Sequence, residues 1–309
     1  MKAFKKIYAF ALCALIVPTF SSCDKDDDFG TGAVIELDGT RLTSLDHSTI
    51  SYDEKGRIVK VSSPNDIVID YEKGTISEND GDEDNIMKVR FNGKGYIAEL
   101  SGSWDYTETE SNGDKYQYTG SGKSVFTYNS NGNLVKMETT SSETEKDFSD
   151  GTTEKFSEKT TISYIWENGN LKQAIEDNTE NEDGDVDSWQ YLYNVTYGSQ
   201  KNIFLQMPMS LSSIAFDYDG LHILSAAGLF GKGPALIPTN LSENGDYNYS
   251  HVIYITLNDN GSIAKEEFEY NRFTYGYTTV SQPSAISAKG RNDVKLNIRN
   301  IFVRNKNHK

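Results

Sequence analysis

The chain has 309 residues and carries 46 Asp and Glu against 30 Lys and Arg, a net charge of −16 at pH 7. So acidic a body repels phosphate backbones and anionic headgroups, which excludes nucleic-acid binding as a leading function and leaves the protein surface unsuited to grip a membrane. Cys13 and Cys23 are the only cysteines, too few for a disulfide framework.

The amino terminus sets three lysines, Lys2, Lys5 and Lys6, before an apolar run from Ile7 to Val17, then turns small and polar at Ser21 and Ser22. This is the layout of a secretory signal peptide, predicted over residues 1–22. A transmembrane helix needs roughly 20 apolar residues, and this run is cut by Pro18. Cys13 would leave with the signal, so Cys23 as first mature residue has no thiol to pair with. Loss of the three lysines takes the net charge from −16 to −19. Asp24, Asp26, Asp27 and Asp28 would raise the pKa of the Cys23 thiol, against a nucleophilic role. Phe20-Ser21-Ser22-Cys23 resembles the lipobox of a bacterial lipoprotein in its permissive Bacteroidetes form. The resemblance implies diacylglycerol on the Cys23 sulfur and a further acyl chain on the new amino terminus. Lys25-Asp26-Asp27 resembles the signal that sends such lipoproteins to the outer face of the outer membrane. At about 0.8 kcal/mol per buried CH₂, several chains hold a soluble body firmly. Residues 23–32 are read as a lipidated acidic tether.

From residue 33 to 309 the pattern is short apolar and polar alternation rich in Tyr, Phe, Ile, Val and Thr, broken by Gly, Asn and Asp. A single all-β domain is predicted: an antiparallel meander of repeated β-hairpins forming a strongly curved sheet or barrel-like body. Its signature is a repeat. "ISYDEKGRIVKV" begins at 50, "FTYNSNGNLVKM" at 126, "ISYIWENGNLKQ" at 162 and "ITLNDNGSIAKE" at 255, with "VRFNGKGYIAEL" at 89 as a looser copy. The turn glycines are Gly56, Gly95, Gly132, Gly169 and Gly261. A type I turn followed by one residue at positive φ explains the glycine, and the neighbouring asparagines bond locally to the backbone. No lysine and helix start follow these glycines, so they form no phosphate cradle.

Period two puts Tyr52, Phe126 with Tyr128, Ile162 with Tyr164, and Ile255 with Leu257 on one face of their strands. Core packing is the expected role, a sugar-stacking platform the rival. Acidic stretches between the hairpins read as solvated loops. With Gly184 as the sixth position of a calcium loop, Asp183 is fifth and Asn181 third, but Thr179 stands first and breaks the pattern. Asp183, Asp185 and Asp187 are left as adventitious calcium ligands, and no metal or cofactor is expected. Residues 202–241 are much less charged and hold three of the six prolines. They predict an irregular or short helical crossing, with helix near Leu211 to Ala227, that plugs or caps the sheet.

The body resembles a Bacteroidetes secreted-lipoprotein family of unknown function with a porin-like fold, and its hairpin units resemble the YD-type repeats of bacterial surface proteins. The likeness rests on Tyr52, Asp53, Gly56, Ile58 and Lys60; on Tyr128, Asn129, Gly132, Leu134 and Lys136; and on the crossing from Gly228 to Pro238. In the third unit Trp166 and Glu167 are expected to lengthen the turn. The resemblance implies a fold and supplies no catalytic residues. Strands such as "KYQYTGSGKSVFTY" are too polar to face lipid. Of the four histidines, His47 and His308 read as solvent-facing; His222 and His251 could act with Asp217 or Asp219, but no nucleophile motif accompanies them. The predicted function is a non-catalytic, lipid-anchored, surface-displayed binding module whose ligand is a glycan, a host polymer or an outer-membrane partner. A glycan-cleaving enzyme using paired carboxylates and a structural envelope protein are the alternatives.

Overall fold

The computed structural model describes residues 36–37, 40–62, 66–78, 86–110, 113–216, 219–245, 248–269, 271–279 and 301–303. The strands are β1 (Glu36–Leu37), β2 (Thr40–Leu45), β3 (Ser48–Tyr52), β4 (Ile58–Ser62), β5 (Ile67–Asp70), β6 (Thr75–Glu78), β7 (Ile86–Phe91), β8 (Ile97–Thr109) and β9 (Lys115–Tyr128). They continue as β10 (Leu134–Asp147), β11 (Thr153–Glu167), β12 (Asn170–Glu182), β13 (Asp185–Lys201), β14 (Leu236–Asn244), β15 (Asn248–Leu257), β16 (Ile263–Phe268) and β17 (Asn271–Thr279). Two short helices, α1 (Met209–Ser212) and α2 (Asp219–Ala226), lie between β13 and β14.

From β2 to β17 every strand pairs antiparallel with the next, and β17 returns to β2 through Tyr275 opposite Leu45 and Thr278 opposite Arg41. The sheet therefore closes into a sixteen-stranded barrel, with β1 as a short addition on β2. Closure removes the free edges that a meander of this length would otherwise expose. The predicted all-β meander is what forms, and between curved sheet and barrel the barrel is the outcome.

Alternation along the strands sorts the residues. In β7, Met87, Val89 and Phe91 are buried while Ile86, Lys88 and Arg90 are exposed. The outer wall carries cross-strand ion pairs: Glu99 of β8 is 3.3 Å from Arg90 on β7 and 3.0 Å from Lys123 on β9. Arg272 on β17 likewise meets Glu267 on β16, which also pairs with Lys265 along its own strand.

The apolar interior is completed by the segment between β13 and β14. Ile214, Leu224, Leu229 and Phe230 are at most 1 % exposed and join one core with Ile97, Leu100, Ile162 and Leu171 of the wall. Phe126 meets Phe230 edge-on, ring centres 5.0 Å apart. Both helices fall where the sequence predicts a short helical crossing, and the segment plugs the barrel.

Candidate functional site

All five repeat glycines adopt positive φ, between 78° and 89°. At four of the turns the first residue's N–H and C=O close the same loop. Gly56 N–H donates to Asp53 O at 2.9 Å, and Gly132 N–H to Asn129 O at 3.0 Å. Gly95 and Gly261 do the same to Asn92 and Asn258. In three of these turns the first residue's side chain accepts again from the residue after the glycine, as Asp53 does from Arg57 N–H at 2.8 Å; at Gly261 it is Asn260 that accepts from Ser262 N–H. The third unit differs from expectation. Trp166 and Glu167 do not lengthen its turn: Asn168 and Gly169, both at positive φ, make a two-residue turn between paired Glu167 and Asn170, and the irregularity moves into the strand between Ile165 and Trp166. Two left-handed residues close a hairpin more tightly than one, so the extra residue becomes a bulge.

Aromatic residues that end the odd strands have a second task. Tyr52 OH donates to Leu42 O, Tyr128 OH to Ile97 O at 2.6 Å, Trp166 Nε1–H to Leu134 O at 2.7 Å and Tyr197 OH to Leu171 O at 2.8 Å. Each ties a strand to the start of the preceding one, and all four pack on the core. Phe126, Ile162 and Tyr164 are buried as well, so this face forms core and not an open sugar platform.

The crossing docks on the repeat turns. Lys232 N–H donates to Gly132 O at 2.9 Å, and Ala235 N–H to Gly169 O at 2.9 Å. Ile203 reaches the turn at Gly261 so closely that a Cβ there would lie 2.5 Å from it. Deeper in, Glu266 of β16 accepts from the backbone N–H groups of Met209 and Ser210 at 2.8 and 2.9 Å and from Tyr275 OH at 2.6 Å. That carboxylate is fully buried and holds α1 to the wall.

Away from the plug, β8 to β13 run 13 to 17 residues and form a taller wall. Their inward face turns polar. Trp104 Nε1–H donates to Glu143 Oε2 at 2.8 Å, and the Ser124 and Thr139 hydroxyls are 2.8 Å apart. Thr160 OH donates to Asn178 Oδ1 at 2.6 Å; Asn178 Nδ2 and Tyr193 OH both donate to Glu176, at 2.9 and 3.0 Å. Glu143 is 5 % exposed and Glu176 is fully buried. An open concavity of about 740 Å³ at this end is lined by Thr119, Gly120, Ser142, Glu143, Phe156 and Asn181, among others. Glu143, Glu176 and Glu266 all accept hydrogen bonds that hold neighbouring elements together.

Cys23, Lys25, Asp26 and Asp27 lie outside the described residues, as do His308 and Asp217. His47 is exposed beside Asp46 in the β2–β3 turn. His222 is buried in α2, whereas His251 sits on β15, 3.3 Å from Glu269. They sit on different elements, His222 in the plug and His251 on the wall. Asp183 and Gly184 form a two-residue hairpin turn at positive φ, and Asp185 and Asp187 pair with Glu182 and Glu180 in the ladder. Sequence reasoning missed Trp104 and Glu266, and it read the acidic stretches that hold Glu143 and Glu176 as solvated loops, whereas they run within β10 and β12 with both carboxylates buried; an inward carboxylate in an already polar row breaks no periodicity. It also passed over Gly120 and Gly122, where glycine inside a strand pattern signals close approach of another group.

No known protein family and no curated protein matches the sequence. Among solved structures, the chain is similar to a porin-like protein from Bacteroides vulgatus ATCC 8482, with a TM-score of 0.46 and 15% identity over 76% of this chain and 97% of that one. A porin-like protein from Bacteroides uniformis ATCC 8492 gives a TM-score of 0.42 and 17% identity over 79% of this chain and 93% of that one.

Proposed function

We propose that the protein is a lipid-anchored, non-catalytic interaction module displayed at the bacterial surface. The observation that supports this most is the combination of a charged, water-facing outer wall with a plugged interior. A wall that carries paired charges on its outward face suits water better than lipid, so a separate link would keep such a barrel at a membrane. Cys23 supplies that link through its acyl chains, and Lys25, Asp26 and Asp27 direct export to the outer face. The ligand is a glycan, a host polymer or an outer-membrane partner. Exposed Val252 and Tyr254 on β15, at 51 % and 64 %, share the outward face opposite buried Ile253 and give the outer wall an apolar and aromatic contact surface of the kind that binding interfaces use.

The anchor is tested by Cys23→Ala, which is expected to abolish acylation and release the protein from membranes; retention in the membrane fraction contradicts it. Binding is tested by glycan-array and pull-down screens with residues 33–309. A ligand lost on Val252→Asp or Tyr254→Ala supports the reading, and the lack of any binder in either screen overturns it.

A further inference from the structure

Phe302, more than 20 residues beyond the last described strand, is 2 % exposed and belongs to the barrel core, with Ile301 and Val303 packed on it. Its ring stacks on Trp104, centroids 6.4 Å apart and planes 13° from parallel. The seat is made by missing side chains. A Cβ at Gly122 would lie 2.2 Å from Phe302, and a Cβ at Gly120 would lie 2.5 Å from Trp104. Neither glycine has a positive φ, so no turn calls for them in the middle of β9. A strand that gives up two side chains loses packing, and the usual reason is another group approaching that face.

The face around this seat is acidic. Glu143 and Glu145 share the inward side of β10 with buried Thr139 and Ser141, and Glu158 lies two residues before Thr160 on the same face of β11. Glu180 and Glu182 extend the row of Glu176 and Asn178 on β12, with Glu180 opposite Glu158. All six carboxylates are engaged by partners. The sequence around Phe302 has the opposite charge: residues 289–309 contain Lys289, Arg291, Lys295, Arg299, Arg304, Lys306 and Lys309 against Asp293 alone. In a chain of net charge −16 this concentration of cations is out of character, and it accompanies a buried aromatic seated in the acidic half of the barrel.

We propose that the inward face of β8–β12 is a receptor site for a basic peptide with an aromatic anchor, and that the chain fills it with its own carboxyl-terminal segment, residues 291–309. Phe302 supplies the apolar anchor in the Gly120–Gly122 seat, and the lysines and arginines supply charge complementarity. The site stands whether or not the protein is lipid-anchored or binds an external ligand by its outer wall.

The unmutated mature chain is tested first, by hydrogen exchange at Ile301, Phe302 and Val303. Docking predicts protection of about 100-fold or more over free-peptide rates, and free-peptide rates overturn the proposal. Phe302→Ala and Gly122→Val, which remove the anchor or fill its seat, are expected to speed trypsin cleavage after Arg299 and Arg304 by about tenfold or more while the barrel stays intact. Equal cleavage rates in all three folded proteins overturn it too. With its tail released, Phe302→Ala should bind a labelled synthetic peptide of residues 291–309, less tightly as salt rises; the unmutated chain should not. If the released barrel takes up no peptide, the site is not a receptor for basic segments and the proposal fails.

Discussion

At Gly231 the crossing and a repeat turn come closer than any other residue would permit. Its φ is +95° and a Cβ would stand 2.6 Å from Gly132 O, a backbone atom that cannot swing aside. Gly151, at φ +77°, also needs the left-handed region, yet a Cβ there meets nothing within 4 Å. The pair separates conformational strain from collision. Gly151→Ala should cost about 1 kcal/mol, the left-handed penalty alone, whereas Gly231→Ala should cost about 3 kcal/mol or more. Urea unfolding of residues 33–309 measures both; equal shifts in the midpoint would show that the crossing yields. Asp53 makes a second residue-scale case. Burial works to raise its carboxyl, but the Arg57 backbone N–H and guanidinium outweigh burial and hold it below the usual range. A depressed folded pKa contributes stability above the unfolded value that is lost as pH falls through the folded one.

Among elements, α1 is too short to persist by itself, and what fixes it is Glu266. Three donors converge on that buried carboxylate, two of them the amides that open the helix. Glu266→Ala takes the shared acceptor from all three and should destabilise the protein by about 3 kcal/mol or more; removing the neighbouring half-buried charge by Lys265→Ala should change far less. Thermal melts of the two variants check this, with similar melting points as the contrary result. Glu266 also marks where sequence stopped being informative. The hairpins were legible because Tyr52, Asp53 and Gly56, and their counterparts at 128, 129 and 132, act through local backbone geometry that leaves a residue signature. The crossing was legible from its loss of charge. Closure of β17 on β2 was not, since Tyr275 and Leu45 carry no mark of their pairing. Nor was the inward acidic row, because Glu143 and Glu176 alternate with polar residues on either side. Trp166 misled for a local reason: the residues that signal a longer turn also permit a bulge and a shorter one.

For the molecule as a whole, the barrel buries a ring of phenols that couples its stability to alkaline pH. Burial raises the pKa values of Tyr71, Tyr96, Tyr128, Tyr197, Tyr275 and Tyr277; at Tyr275 the Glu266 carboxylate adds to the effect. In the unfolded chain these groups titrate near pH 10. A folded pKa raised above the unfolded one contributes stability fully present below about pH 10 and lost as pH rises through the folded value. Stability should therefore be flat across neutral pH with respect to these groups and fall above about pH 10, where the unfolded state releases protons that the barrel retains. Phenolate absorbance and the β signal in circular dichroism, followed together, test this: the buried phenols should ionise only as the barrel unfolds. Tyr71→Phe removes one of them at little cost at neutral pH, since among the described residues its buried hydroxyl has no hydrogen-bond partner. That variant should unfold at a higher pH than the parent. Full ionisation of the phenols with the β signal intact would mean that the interior admits hydroxide and water freely, and would contradict the closed, packed barrel on which the plug, the acidic row and the seat of Phe302 depend.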